Sequence, residues 1–232
     1  MTSIRSVSDS RFVIDSTLPV LFYGGTGQAI VNRDILELQG GRLAVVVDDT
    51  PNLTPPFADV PLVRGWDAVL AWRAAVPGAF GFAVCIGNPH GRVRVRLAQQ
   101  LIALGGQPLT LVHPTAIIAR NCVLGAGVQV MAGAVVQPRV ALGEQCIINT
   151  RASVDHECRL DEGVEIAPGA TLCGAIHVGA AAWIGAGATV LPRLTIGADA
   201  IVGAGSLVRQ DVPERATVVG VPAQVLSVQE LS

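Results

Sequence analysis

The chain has 232 residues, half of them apolar and only 15% charged, with a formal net charge of −2 at pH 7. That balance excludes a disordered chain and removes any electrostatic reason to expect nucleic acid or an anionic membrane as a partner. No apolar run approaches the roughly 20 residues that span a bilayer, and the first 18 residues, broken by Arg5, Asp9, Arg11 and Asp15, do not read as a secretory signal.

Residues 1–18 are read as an N-terminal extension, and strands and helices alternate after it. Pro19–Tyr23 reads as a buried strand, 24–29 (GGTGQA) as a glycine-rich turn and 30–38 as a helix. Residues 43–47 form a second strand ending in Asp48-Asp49, and 61–63 a short third strand. A helix over 66–75, a strand over 80–86 ending in Gly87-Asn88, a helix over 92–104 and a last strand over 109–113 complete this region. Strand, helix, strand in sequence implies parallel pairing with helices on the faces, and ligands then bind beyond the carboxyl ends of the strands. Two loops lie at such ends. The turn Gly24, Gly25, Thr26, Gly27, Gln28 lets backbone N–H groups approach a phosphate or sugar, and Asp48 and Asp49 can accept hydrogen bonds from a base or ribose. The turn lacks the full GxGxxG spacing, so strand-to-helix packing accounts for its glycines equally well. A solvated turn accounts equally for the acidic pair.

From Ile118 to Val208 every sixth residue is aliphatic, without a register slip. Two residues before each stands a small or aliphatic side chain, as in Ala134, Cys146 and Ala170. A period of six fits neither a helix nor a lone strand; it is the signature of a hexapeptide β-solenoid, with three hexads per coil. Both repeating positions point inward and bury apolar surface at roughly 25 cal/mol per Å². Five such coils stack to about 24 Å at the ordinary inter-strand spacing. Glycines that follow the aliphatic position, such as Gly125 and Gly143, are read as corner residues with unusual backbone angles. Cys122, Cys146 and Cys158 occupy inward small positions, Cys173 follows an inward leucine, and Cys85 lies in an apolar run. With no CxxC pair, no metal is expected, and a reducing cytoplasm is the expected compartment.

One hexad breaks this run of small, neutral residues. It holds Asp155-His156-Glu157, directly after the inward Val154. Both His156 and Glu157 should project outward near a corner, and a histidine flanked by carboxylates can be oriented and made basic, as a general base must be. A solvent-exposed histidine without a role is the competing reading of the tripeptide alone. His177, His113 and His90 have weaker surroundings.

These residues, with Ile86-Gly87-Asn88, Asn149-Thr150, the stretch SVDHEC at 153–158 and VGVPA at 219–223, resemble a known group. It is the nucleotide-sugar and sialic-acid acetyltransferases of the left-handed β-helix, hexapeptide-repeat superfamily, in particular the bacillosamine-pathway subfamily. The resemblance implies a small Rossmann-like α/β domain at 19–113, a left-handed parallel β-helix at 114–215, and a loop and tail on the CoA side at 216–232. It implies acetyl-CoA as co-substrate and N-acetylation of the 4-amino group of a nucleotide-linked 4-amino-4,6-dideoxy sugar in bacterial glycan biosynthesis. A UDP-linked acceptor is favoured, with a GDP-linked one as the alternative. His156 resembles the general base, Glu157 its orienting carboxylate, and Asn149 a third residue of the same pocket. Gly174 N–H is expected on the thioester oxygen, with Ala186 and Ala204 along the CoA path. Gly24, Gly25, Thr26, Gly27, Gln28, Asp48, Asp49, Gly87 and Asn88 fall at nucleotide-sugar positions, as does Glu165. Two departures stand out: Glu165 and Gln28 occupy places where relatives carry histidine. The resemblance further implies a homotrimer, for which the outward apolar residues Val123, Val135, Ile147, Trp183, Ile201 and Leu207 are the expected contact surface. Two rival readings are O-acetylation of sialic acid or a related sugar, and a non-catalytic scaffold.

Overall fold

The computed structural model of the protein describes residues 12–87 and 89–229. Its first layer is a parallel sheet of five strands, β1 (Pro19–Tyr23), β2 (Arg42–Val47), β3 (Leu62–Val63), β4 (Phe80–Val84) and β5 (Gly106–Pro108), in the order β3-β2-β1-β4-β5. Helices α1 (Gly27–Leu38), α2 (Gly65–Ala75) and α3 (Gly91–Ala103) connect them. The strands β1 and β4 are buried almost throughout, which accounts for their near-continuous apolar runs. Strand order reverses at β1, which opens a crevice at the carboxyl ends of β1, β2 and β4. The extension is not a loose tail where it is described: Ile14 packs into the core beside Val20 and Ile35, and its N–H donates to the Gln39 carbonyl.

Two sequence expectations change here. Helix α1 starts at Gly27, inside the glycine turn, rather than at residue 30. The expected last strand at 109–113 divides: β5 ends at Pro108, and Leu111–Val112 pairs with Gln129–Val130 in the second layer. The alternation of this short run could not say which sheet would accept it.

The second layer is a coil of two-residue strands. Up to Thr189–Val190 each pairs in parallel with the strand 18 residues later, as in Ile147↔Glu165, Ser153↔Thr171 and Arg159↔His177. The strands form three walls. Wall one carries Gln129–Val130, Ile147–Ile148, Glu165–Ile166, Trp183–Ile184 and Ile201–Val202 and ends in the hairpin Ala216–Gly220/Ala223–Val228. Wall two runs from Ile117–Ile118 to Leu207–Val208, and wall three from Val123–Leu124 to Thr195–Ile196. The inward ladder of aliphatic and small residues forms one continuous core, in which Val154, Ile166, Ala170 and Leu172 are fully buried.

The glycines after the aliphatic positions serve a different purpose from the one expected. Gly125 and Gly143 do not have positive φ; a Cβ on either would lie 2.6 Å from the backbone of the next coil. The left-handed residues come two positions later and include Arg139, Gln145, Arg151 and Glu157, with φ between 57° and 66°.

Wall one packs against the α/β sheet. Its outward Gln129, Ile147 and Glu165 are buried under that layer. The Gln129 carboxamide accepts from Gln28 and Asn32, both at 2.8 Å, and donates to the Val84 carbonyl at 2.8 Å. Arg94, fully buried, donates to the carbonyls of Ile86, Gln145 and Gly163, so one guanidinium ties both layers together. Ile147 is therefore covered by its own chain. The other residues expected on one contact surface are divided over three walls: Trp183 and Ile201 on wall one, Val135 and Leu207 on wall two, Val123 on wall three. An outward apolar position repeats every hexad, but successive hexads face different directions.

Candidate active site

The crevice at the switch point opens into a cavity of about 620 Å³ between the sheet and wall one. Its floor on the sheet side is Tyr23, Gly24, Asp48 and Asp49, and its coil side is Asn149 and Glu165. The starts of α1 and α3 complete it through Thr26, Gln28, Gly87 and His90. Neither helix start has a side-chain cap, and neither first turn holds an acidic residue. Unsatisfied N–H groups with positive dipole ends therefore face one cavity from two helices, an arrangement suited to a diphosphate.

The acidic pair is built into the turn. Asp48 is buried and accepts from the N–H groups of Gly25 at 2.6 Å and Thr50 at 2.8 Å. Burial alone would push its carboxyl up, but the bonds from Thr50 and Gly25 and the charge of Arg64 outweigh burial and hold it below the usual carboxylate range. Asp49 accepts from the Tyr23 hydroxyl at 2.8 Å and the Gly65 N–H at 2.9 Å. Burial, and then that bond, raises the Tyr23 phenol far above its ordinary value, so it remains a neutral donor. Gly24 needs its glycine: its φ is +105°, and a Cβ would meet the Cys85 carbonyl. Gly27 has open space around it and an ordinary φ. Gly25 and Gly27 do not line the cavity; Gly25 acts through Asp48. Asn88 lies outside the described residues. Burial pushes the Cys85 thiol up to about 12.

The histidine lies elsewhere in the same chain. Asn149 follows a strand of wall one, whereas His156 follows a strand of wall two, one corner further around the coil. At that second corner the His156 Nδ1 lies 3.1 Å from Glu157 Oε2, and Arg139 Nη2 lies 3.1 Å from Glu157 Oε1. The backbone N–H of His156 donates to Asp155 Oδ1 at 2.7 Å. The Cε1–Nε2 edge of the ring lies against Gly174, where an added Cβ would fall 2.4–2.5 Å from those atoms. Among the described residues the Gly174 N–H makes no backbone hydrogen bond. One ring nitrogen thus lies at a carboxylate and the other beside the Gly174 backbone, a geometry open to a base with a backbone donor near it. Burial raises the thiol of the neighbouring Cys173, which argues against a thiolate relay there.

Ala186 and Ala204 are exposed on the corner between walls one and two, above Asn149, and not on the corner of His156 and Gly174. The residues expected to work together therefore form two half-sites on the two edges of wall two. Sequence reasoning also missed Arg139, Tyr23, Thr50 and Arg94. Arg139 was within reach, because it precedes Glu157 by one coil of 18 residues. Among the described residues no group of three or more His, Cys, Asp or Glu side chains is placed to hold a metal ion, and no helix is long and apolar enough to cross a membrane.

Residues 175–210 match the family model for bacterial transferase hexapeptide (six repeats). The chain is 31% identical over 139 residues to the GDP-perosamine N-acetyltransferase of Escherichia coli O157:H7, a match covering 60% of this chain and 54% of that protein. It is 36% identical over 119 residues to the UDP-N-acetylbacillosamine N-acetyltransferase of Bacillus subtilis strain 168, covering 49% and 51%. The chain thus spans about half the length of these curated relatives in its matches. A solved structure from Caulobacter crescentus, a single-site variant of GDP-perosamine N-acetyltransferase in complex with CoA and GDP-perosamine, superposes with a TM-score of 0.83. It is 35% identical, and the match covers 90% of this chain and 97% of that one.

Proposed function

Because the chain belongs to the hexapeptide-repeat family of nucleotide-sugar N-acetyltransferases, we propose that it moves the acetyl group of acetyl-CoA to the 4-amino group of a nucleotide-linked 4-amino-4,6-dideoxy sugar. The observation that carries this reading is the imidazole of His156, held at Nδ1 by Glu157 and set with its Nε2 edge against Gly174. In the reaction, Nε2 takes a proton from the amine as its nitrogen attacks the thioester carbonyl. The Gly174 N–H stabilises the tetrahedral oxyanion, and its collapse expels the CoA thiolate, which recovers a proton from the imidazolium. The products are an amide and free CoA, and no acetyl group rests on the protein. The two helix starts receive the diphosphate, and the ends of β1 and β2 receive the nucleoside.

The protein acts as a cyclic trimer in this reading, with the coil left-handed. The cavity beside Asn149 and the corner of His156 flank wall two on opposite edges, so a complete site forms where one copy's edge meets the other edge of the next. Two different edges in contact make a heterologous interface, which closes into a ring. Three flat walls meeting edge to edge enclose a triangle. Wall two is suited to face its axis: its outward residues Ile117, Val135, Ser153, Thr171, Thr189 and Leu207 carry no charge, whereas wall three presents Arg159 and His177 and wall one Glu165. Residues 19–113 then serve the sugar nucleotide, 114–215 the transfer, and 216–232 the CoA side.

Incubation with acetyl-CoA and GDP- or UDP-linked 4-amino sugars tests the reading. The expected outcome is release of CoA thiol with an acetylated product that survives mild base, as an amide does and an ester does not. Absence of CoA release with both acceptors would remove the activity.

A further inference from the structure

Three carboxylates line the large cavity, and among its described lining residues there is no lysine or arginine. Two of the three are committed on the sheet side: Asp48 braces Gly25 and Thr50, and Asp49 holds Tyr23 and Gly65. The third, Glu165, lies on wall one beside the Asn149 corner, and its residue is 4% exposed. Its Oε2 lies 3.7 Å from Arg94 Nη1, and a Cβ built on Gly87 would lie 3.9 Å from it. Arg94 is fixed in turn by three carbonyls from both layers. Burial holds the Arg94 guanidinium below its usual value and the Glu165 charge works against that shift, so the two groups are electrostatically linked. The carboxylate is therefore presented to the cavity on a rigid support.

In the pose proposed above, with the nucleoside at the strand ends and the diphosphate over the helix starts, the remaining side of the cavity open to the sugar is the wall-one side with Asn149 and Glu165. A buried carboxylate there disfavours an anionic sugar and holds a cationic one more tightly than a neutral one. We propose that Glu165 is the specificity residue that selects an amino sugar, by accepting a charge-assisted hydrogen bond from the protonated amine in the bound ground state. The inference rests on the acceptor class proposed above. Because the ammonium must lose a proton before it attacks, this contact stabilises the bound ground state and not the transition state, so its removal should raise KM and kcat together and leave kcat/KM nearly unchanged.

The test is calorimetric binding to the full-length protein and its Glu165→Gln and Glu165→Asp variants. The probes are free GDP and UDP, the same nucleotides linked to a 4-amino-4,6-dideoxy hexose, and their 4-hydroxy counterparts. Glu165→Gln is expected to weaken the amino-sugar conjugates by roughly 10–150-fold, the range for a lost hydrogen bond to a charged group. Free nucleotides and hydroxy conjugates should bind as before, and Glu165→Asp should recover part of the loss. An equal loss for free GDP and UDP would make Glu165 a support for α3 and overturn the inference, as would unchanged amino-sugar binding. If the unaltered protein binds and acetylates amino sugars while Glu165→Gln shows no selective loss, this inference alone fails. If the unaltered protein binds none of the conjugates, the acceptor class fails with it.

Discussion

A methyl group added at Gly174 would lie 2.4 Å from His156 Cε1, yet the backbone there has a φ that alanine adopts without strain. Gly174→Ala should therefore push the imidazole off its position while leaving the fold intact. A displacement of about 1 Å at a reacting group costs on the order of 10²-fold in rate, so kcat is expected to fall by about that factor with the melting temperature nearly unchanged. Steady-state kinetics beside thermal denaturation separate this from simple destabilisation. His156→Asn removes the base and keeps the shape; turnover should fall by about 10²–10⁴-fold while acetyl-CoA binding persists. Near-normal turnover in that variant would exclude His156 from the chemistry. At this scale the tripeptide Asp155-His156-Glu157 was readable, because it sets a histidine directly between two carboxylates. The link from Arg139 to Glu157 became visible only when residues 18 apart were stacked.

Helix α3 joins the two layers through an exposed pair, Arg92 with Asp199, and through the buried Arg94. The Arg94 guanidinium satisfies three backbone carbonyls and lies 3.7 Å from Glu165, so its removal leaves those buried acceptors without their donor and takes a cation from beside a buried carboxylate. Breaking such a buried pair from one side costs roughly 3–5 kcal/mol. Arg94→Ala should lower stability by that order, read by chemical denaturation. Arg94→Lys should recover little, since a single ammonium cannot reproduce a fork that reaches three carbonyls. The helix start is just as constrained: a Cβ on Gly91 would meet the Gly163 carbonyl. The coil glycines that directly follow the inward aliphatic positions hold a related lesson. They read as conformational devices, but the structure shows them as clearance for the next coil, with left-handed φ assigned to a later corner position that Arg139 and Glu157 accept.

For the whole molecule, the separation of the half-sites predicts complementation. A His156→Ala protein lacks the proposed base on one edge of wall two, and an Asp48→Ala/Asp49→Ala protein lacks the proposed nucleotide loop on the other. Each should be nearly inactive alone. Mixed, dissociated and reassembled, they should recover about a quarter of the unaltered activity by random assortment around a heterologous ring. Recovery of no activity, from variants shown to mix, would place both halves within one copy. Light scattering should give a mass of three chains, and a fully active monomer would contradict the shared cleft.

The unbroken hexad from Ile118 to Val208, the alternation of strands and helices before it, and the grouping of Asp155, His156 and Glu157 were all set out in the linear sequence. Each depends on local periodicity or local chemistry, which neighbours along the chain impose. The partner of Leu111–Val112, the burial of Ile147 beneath its own α/β layer and the placement of His156 one corner away from Asn149 were not. A period of six states which side chains point inward but leaves open which outward wall another layer will cover. Only the packing of α3 and the α/β sheet against wall one decided that, because the buried carbonyls that Arg94 satisfies come from residues up to 69 positions away in sequence.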